Sequence, residues 1–360
     1  MRKRVIVAMS GGVDSSVTAA LLKEQGYDVI GITMRIWSGQ SAFGGISYSC
    51  CGGEQAIEDA RRVAHKIGIP HYPLDFRTAF KEKVIADFIE EYKQARTPNP
   101  CIRCNRFIKF SLLLNRCQEF NADFLATGHY ARIEKRAKRW LLLKGRDEKK
   151  DQSYFLYPMT QEQLAKTLMP LGDLTKTEVR QIAKDLNLAV AQKPESQEIC
   201  FIADDNYPKF LKQYIPDAVR PGPILDKDGR VIGEHKGLLA YTIGQHKRIG
   251  IPFKERLYVI GIDRNRNAII VGKEADVYGT ELFAEDLNYI AIDRLKKPLT
   301  VKAKIRSTAV PCDALIIPLN GKIHLKFKEP QWAITPGQAV VFYDGNIVIG
   351  GGTICLPETK

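Results

Sequence analysis

Residues 5–16, Val5-Ile6-Val7-Ala8-Met9-Ser10-Gly11-Gly12-Val13-Asp14-Ser15-Ser16, decide the fold. The apolar run Val5–Met9 reads as a buried strand, because it is short, rich in β-branched residues and closed by a glycine turn. After Gly11 and Gly12 the spacing becomes helical through Ser15–Gln25. Paired glycines let a backbone turn tightly and bring its N–H groups close to a polyanion. Ser10, Ser15 and Ser16 add hydroxyl donors, and the start of a helix adds partial positive charge. The three pieces form a phosphate cradle without the Gly-Lys-Ser/Thr ending of the Walker type. A plain N-cap with a tight turn would use the same short pattern.

Outward from this stretch, strands and helices alternate. Tyr27–Met34 reads as a second strand. Glu54–Ile67 reads as a helix with Ala56, Ile57, Ala60, Val63, Ala64 and Ile67 on one side. His71–Asp75 and Phe124–Thr127 read as further strands, and Phe80–Ala95 and Phe107–Phe120 as further helices. This alternation predicts an α/β fold with a parallel sheet covered on both faces. Beyond about residue 210 Gly and Pro become frequent and β-branched residues cluster in short runs. Leu257–Ile262, Ala268–Val271, Thr300–Ile305, Lys322–Phe327 and Ala339–Phe342 read as strands. Asp228-Gly229, Asn320-Gly321 and Asp344-Gly345 look like hairpin turns. The expected organisation is a catalytic domain over 1–208, a small β-rich domain over 209–278, and a β-barrel over 279–360.

The net charge of +13 favours a polyanionic partner, since phosphate contacts release condensed counterions, although a solubility requirement would also produce it. No apolar run approaches the ~18 residues of a membrane span, and no export signal precedes the first strand. A cytoplasmic protein with no membrane association is expected. With eight cysteines in such a chain, metal binding or sulfur chemistry comes before a disulfide framework. Cys50 and Cys51 are adjacent and read as an incidental pair. Cys117, Cys312 and Cys355 read as buried packing residues.

Thr97-Pro98-Asn99-Pro100-Cys101-Ile102-Arg103-Cys104-Asn105 is the most informative stretch. Its two prolines are expected to keep the segment out of a helix and hold the cysteines on a loop. Arg103, Arg106 and Lys109 are expected to favour thiolate, the nucleophilic form. A lone C-x-x-C also suits a zinc half-site or a redox pair, but no second C-x-x-C completes a zinc ribbon.

The Ser10–Ser15 pattern resembles the pyrophosphate-binding loop of the ATP pyrophosphatases, which cleave ATP between the α and β phosphates. Thr97–Asn105 with Ile108-Lys109-Phe110 resembles the catalytic loop of the tRNA-specific 2-thiouridylases. Further blocks matching that family follow in order: Thr127–Ala131, Lys150–Leu156, Ile199–Ile202 and Gly237–Gly250, the last with Tyr241–Gln245. The resemblance spans nearly the whole chain and implies an ATP-dependent sulfurtransferase. Such an enzyme adenylates the C2 oxygen of the wobble uridine of tRNA and replaces it with sulfur.

By position, the resemblance implies Cys104 as nucleophile, Cys200 as persulfide carrier and Asp14 as a magnesium-holding catalytic group. Ala8, Met9, Ser10, Gly11, Gly12, Val13, Asp14, Ser15, Met34 and Gly128 would contact ATP. Asn99, Pro100 and Cys101 would meet the target base. His129, Lys150, Asp151, Gln152, Arg306, Ser307 and Gln338 would meet the tRNA anticodon arm. Lys236, Lys247, Arg248, Lys302 and Lys304 would add basic surface. A Cys104–Cys200 disulfide would close each cycle, and a sulfur-donor protein such as a cysteine desulfurase or a relay protein would reload Cys200. Many members carry an aspartate where this chain has Cys101. Cys101, Cys104 and Cys200 therefore also supply three ligands for a 4Fe-4S cluster, the alternative to a persulfide relay. Two other functions are weighed: another adenylating ATP pyrophosphatase, and a zinc-stabilised RNA-binding module. Neither accounts for both the loop and the proline-flanked cysteines.

Overall fold

The structure, a computed structural model, describes residues 2–36, 52–195, 199–202, 206–215, 220–247, 249–251 and 255–356. Its first strand, β1 (Arg4–Ala8), has Val5, Ile6 and Val7 fully buried. Helix α1 (Val13–Glu24) follows the glycine turn, then β2 (Asp28–Arg35) and α2 (Glu54–Ile67). The buried side chains of α2 are Ala56, Ile57, Ala60, Val63 and Ala64, and Gly68 ends it in the left-handed conformation. A β-carbon disfavours that conformation, so a C-terminal glycine is the usual stop. Strand β3 (His71–Asp75) leads to a helical run over 77–93 with a π-helical turn at Lys81–Ile85.

Strand β4 (Phe124–Ala126), hairpin β5 (Ala131–Arg136) and β6 (Arg139–Lys144), and the short β7 (Thr167–Leu168) come next. The first sheet is parallel in order β3-β2-β1-β4-β7. Its strand order reverses between β1 and β4. Ligands of open α/β sheets bind at such a reversal, outside the carboxyl ends of the strands. The turn after β1 and residues 127–129 after β4 both lie there.

A smaller sheet, in order β10-β11-β8-β9, contains β8 (Gly222–Leu225), β9 (Val231–His235), β10 (Tyr258–Asp263) and β11 (Ala268–Gly272). It packs around Ile224, Val259, Ile269 and Val271. The remaining strands are β12 (Tyr278–Tyr289), β13 (Leu299–Lys304), β14 (Cys312–Leu319), β15 (Lys322–Trp332), β16 (Ala339–Asp344) and β17 (Ile347–Cys355). They run antiparallel in order β12-β15-β14-β13-β16-β17, and the β12–β17 pairing closes the barrel. Closure removes the exposed edges of the sheet. Asn320 and Gly321 both have positive φ between β14 and β15, the geometry of a type I′ turn. Among the described residues no helix is long and apolar enough to cross a membrane.

The barrel is locked to the parallel-sheet region. Hairpin β5–β6 extends the barrel sheet through Ile347 against Leu143. Thr97 N–H donates to Pro336 O at 2.9 Å, and Gln338 Nε2 donates to Thr97 O at 3.0 Å. The fully buried Tyr154 donates its hydroxyl to Ala339 O at 2.8 Å. Tyr154→Phe keeps the ring and leaves that carbonyl one buried partner short, a loss of about 1–3 kcal/mol. A lower urea midpoint is the expected outcome. An unchanged midpoint would show that the contact adds nothing.

Candidate active site

The turn between β1 and α1 is held from three sides. Met9 N–H donates to Ile32 O at 2.8 Å, and Ser10 N–H donates to Ser15 Oγ at 3.1 Å. Gly11 has φ +70°, and a β-carbon there would lie 2.3 Å from Ala56 O. Only glycine fits. Lys193 Nζ donates to Gly11 O at 2.9 Å and pairs with Asp59 at 2.6 Å. At Gly128 a β-carbon would lie 2.8 Å from the carbonyl carbon of Asp14 and 2.9 Å from Ser15 N. The segment after β4 thus rests directly on the first turn of α1.

A cavity of about 180 Å³ opens at this contact. It is lined by all the expected nucleotide residues except Gly11, Gly12 and Val13, which shape the turn behind it. Lys109, His129 and Gln152 complete its wall. His129 Nδ1 lies 2.8 Å from Thr127 Oγ1, and burial, then the charge of Lys109, pushes its pKa well below the usual value. It presents a neutral ring to the cavity.

Asp14, in the cavity wall, is gripped by two residues given no role in the sequence reading. Lys176 Nζ lies 2.7 and 2.8 Å from its carboxylate oxygens, and Tyr130 donates its hydroxyl at 2.8 Å. Burial and then the Asp14 charge raise the Tyr130 hydroxyl, which stays a donor. Lys176 also pairs with Glu195 at 3.1 Å, and Glu195 with Lys150 at 2.6 Å. A sequence signal for Lys176 existed. Thr175 and Glu178 form a capping box, so Lys176 begins helix α3 (Lys176–Asp185), the end where the dipole disfavours a cation.

The cysteine segment corrects one expectation. The prolines do not exclude a helix; Pro100 starts one. Asn99 caps it by accepting the Ile102 N–H at 3.3 Å, and a helical run extends over 100–119 with a π-helical stretch at Cys104–Leu113. At the first helical position proline's missing N–H is not needed and its fixed φ suits the helix. Cys101 is exposed and Cys104 partly buried in the opening turns. Arg103 is held by Asp87 at 3.1 Å and by Asp286 at 3.3 Å, and Arg106 pairs with Asp286 as well. Their charge is therefore met by carboxylates rather than left to act on the thiols alone.

Cys200 is partly buried and sits beside Phe201, whose ring packs edge-on against Phe80, Phe88 and Phe210. Cys104 and Cys200 pack against the same apolar core as Ala8 and Met34, which line that cavity. Among the described residues no group of three His, Cys, Asp or Glu is placed to hold a metal ion. Cys117 and Cys355 are buried, with the Cys117 thiol pushed up to about 12 by burial. Cys312, expected in the core, is instead half-buried on a cavity of about 550 Å³ in the barrel. Its position at the end of β14 leaves one side uncovered. Cys50, Cys51 and Arg248 lie outside the described residues.

Several residues expected to meet RNA also bind inside the fold. Asp151 accepts from Gly145 N–H, Ser153 N–H and Ser153 Oγ at 3.0, 3.1 and 2.9 Å. Gln152 accepts Tyr130 N–H at 3.0 Å, and Gln338 bonds Thr97 as described. Arg306 donates to Ala333 O at 2.7 Å and Thr335 Oγ1 at 2.9 Å, with Ser307 half-buried beside it. Arg306, Lys302, Lys328 and Trp332 line the barrel cavity. Lys302 pairs with Asp313 at 2.7 Å. Lys304 has its pKa lowered by burial.

Three family models match the chain: a tRNA methyl transferase HUP domain over residues 3–204, a tRNA methyl transferase PRC-barrel domain over 208–273, and an aminomethyltransferase β-barrel domain over 279–354. The tRNA-specific 2-thiouridylase MnmA of Clostridium beijerinckii is 52% identical over 355 residues, covering 98% of this chain and 99% of its own. That of Desulforamulus reducens is 52% identical over 357 residues, covering 98% and 97%.

Gly128→Ala should displace the first turn of α1 and weaken adenine-nucleotide binding at least about tenfold by calorimetry in a folded protein; a shift of about 1 Å in such a site costs that much or more. Wild-type affinity would show that the close approach is dispensable. Acid should also act through the histidines. His71 and His129 have pKa values lowered chiefly by burial. Below about pH 6.5 the unfolded chain takes up protons that the folded chain refuses, so stability is full above that pH and lost as pH falls. The urea midpoint should drop between about pH 7.5 and 5.5, and the double variant His71→Asn/His129→Asn should flatten the slope. An unchanged slope in that variant would contradict the assignment.

Proposed function

This chain belongs to the tRNA-specific 2-thiouridylase family, and from that membership we propose that it activates the wobble uridine of tRNA with ATP and exchanges its 2-oxygen for sulfur. The observation that carries the reading is one helical run. It bears Cys104 near its start and lines the cavity with Lys109, five residues and little more than one turn on. A base lying beside that helix would have the α-phosphate on one side and a thiol on the other.

The uridine C2 oxygen attacks the α-phosphorus of ATP, the bond to the β-phosphate breaks, and pyrophosphate departs. The oxygen is now part of an AMP ester, a good leaving group. The terminal sulfur of a Cys200 persulfide attacks C2, and AMP leaves with the oxygen. Cys104 thiolate attacks the sulfur of Cys200, the persulfide bond breaks, and 2-thiouridine and a Cys104–Cys200 disulfide result. A thiol reductant supplies two electrons to restore the cysteines. The loop N–H groups between Met9 and Ser15 bind the phosphates. Asp14 would hold magnesium, which supplies positive charge beside the phosphates. Asn99, Pro100 and Cys101 would face the base, which must leave the anticodon stack to enter.

The excess of basic residues suits the anticodon arm, with Lys150, Arg306 and the barrel cavity as the contact surface. Reloading of Cys200 requires a persulfide-bearing partner, a cysteine desulfurase or relay protein, in the cytoplasm. The relay needs only the thiols of Cys104 and Cys200; sulfide bound to a cluster held by Cys101, Cys104 and Cys200 is the second reading.

Cys104→Ser and Cys200→Ser should each reduce 2-thiouridine formation by about a thousandfold or more, as expected for a covalent role. RNA-dependent release of pyrophosphate, which precedes the sulfur step, should persist in both. Cys101→Ala should retain thiolation. Loss of thiolation in Cys101→Ala, with stoichiometric iron and sulfide in anaerobically prepared wild type, would instead establish the cluster.

A further inference from the structure

Lys176 is only 9% exposed, and its ammonium reaches the carboxylate in the wall of the nucleotide cavity. We propose that Lys176 is a catalytic residue, whose ammonium passes from Asp14 to the phosphates of ATP and stabilises the pyrophosphate as it departs. This rests on the adenylation step of the thiolation reading.

Three features point the same way. Lys176 stands at the start of α3, where the helix dipole opposes a cation, so local helix stability does not explain it. Its backbone is fixed on both sides: Thr175 and Glu178 close the capping box, and Lys176 N–H donates to Asp147 Oδ2 at 2.9 Å. The side chain then spans to α1 and grips both oxygens of Asp14 while also touching Glu195. Only a flexible four-carbon stem with three donors serves two carboxylates and can turn to a third anion.

The exchange follows from charge. Asp14 lines the cavity, and its carboxylate would hold the magnesium that accompanies ATP, which would supply positive charge there. An Asp14 carboxylate turned to the ion no longer neutralises Lys176 fully. A buried ammonium stripped of one partner must find another anion. The phosphates enter at that same point. When the uridine oxygen bonds to the α-phosphorus, the electron pair of the broken bond leaves on pyrophosphate. Lys176 meets that charge without proton transfer, as a fixed donor aimed at a developing anion.

Pyrophosphate binding tests this without RNA or sulfur, so its failure leaves the thiolation reading to be decided by RNA-dependent AMP release. With magnesium removed by chelation, Asp14→Asn frees the ammonium and should tighten pyrophosphate binding by about tenfold, the scale of a hydrogen bond to a charged group. Lys176→Gln should weaken it by about tenfold or more, with or without magnesium. If Lys176→Gln does not fold, Asp14→Asn/Lys176→Gln removes both charges together and is compared with Asp14→Asn. The double variant should bind about tenfold more weakly or worse. Unchanged or weaker binding in chelated Asp14→Asn would overturn the proposal, as would wild-type binding in Lys176→Gln. So would a double variant that binds as tightly as Asp14→Asn.

Discussion

Two backbones touch where the parallel sheet reverses its strand order, and the rest of the site depends on that contact. Gly128 lies against Asp14 and Ser15 so closely that a methyl group would meet main-chain atoms below 3 Å. The approach brings Ser10, Asp14 and Ser15 to the wall of one cavity, opposite Gly128 and His129. Gly11 supplies the left-handed corner, and Lys193 ties its carbonyl back to Asp59. A loose loop of the same composition would have to be ordered by its ligand; this one is ordered in advance.

Charge is handled around that contact by pairing groups across distant segments. Asp14, Tyr130, Lys176, Glu195 and Lys150 come from five separate places in the chain and form one connected set. Asp286 plays a comparable part at the cysteine helix. It sits with φ +50° at a bulge of β12, which projects its carboxylate toward Arg103 and Arg106. The barrel thereby holds the helix that carries Cys104.

The fold class was legible because its signals are local. The buried strand β1, the glycine turn and the apolar side of α2 follow from spacing alone, and the bounds of α2 and β3 match the reading residue for residue. The hairpin turn at Asn320-Gly321 was equally plain, since two successive positive φ values demand such residues. What escaped was non-local or ambiguous in sign. Proline before Cys101 reads as a helix breaker until the N-capping Asn99 is seen to place it at the first helical position. Hairpin β5–β6 joins a barrel whose nearest strand lies some two hundred residues on, a pairing no local pattern records. Lys176 was passed over for the same reason: its partners lie far away in sequence.

The central claim is that the uridine 2-oxygen becomes a phosphate oxygen of AMP before sulfur replaces it. Substrate tRNA carrying ¹⁸O at C2 of the wobble uridine tests this directly, with the released AMP analysed by mass spectrometry. The account predicts AMP heavier by one ¹⁸O for each 2-thiouridine formed. Unlabelled AMP, with the heavy oxygen recovered in water, would contradict it.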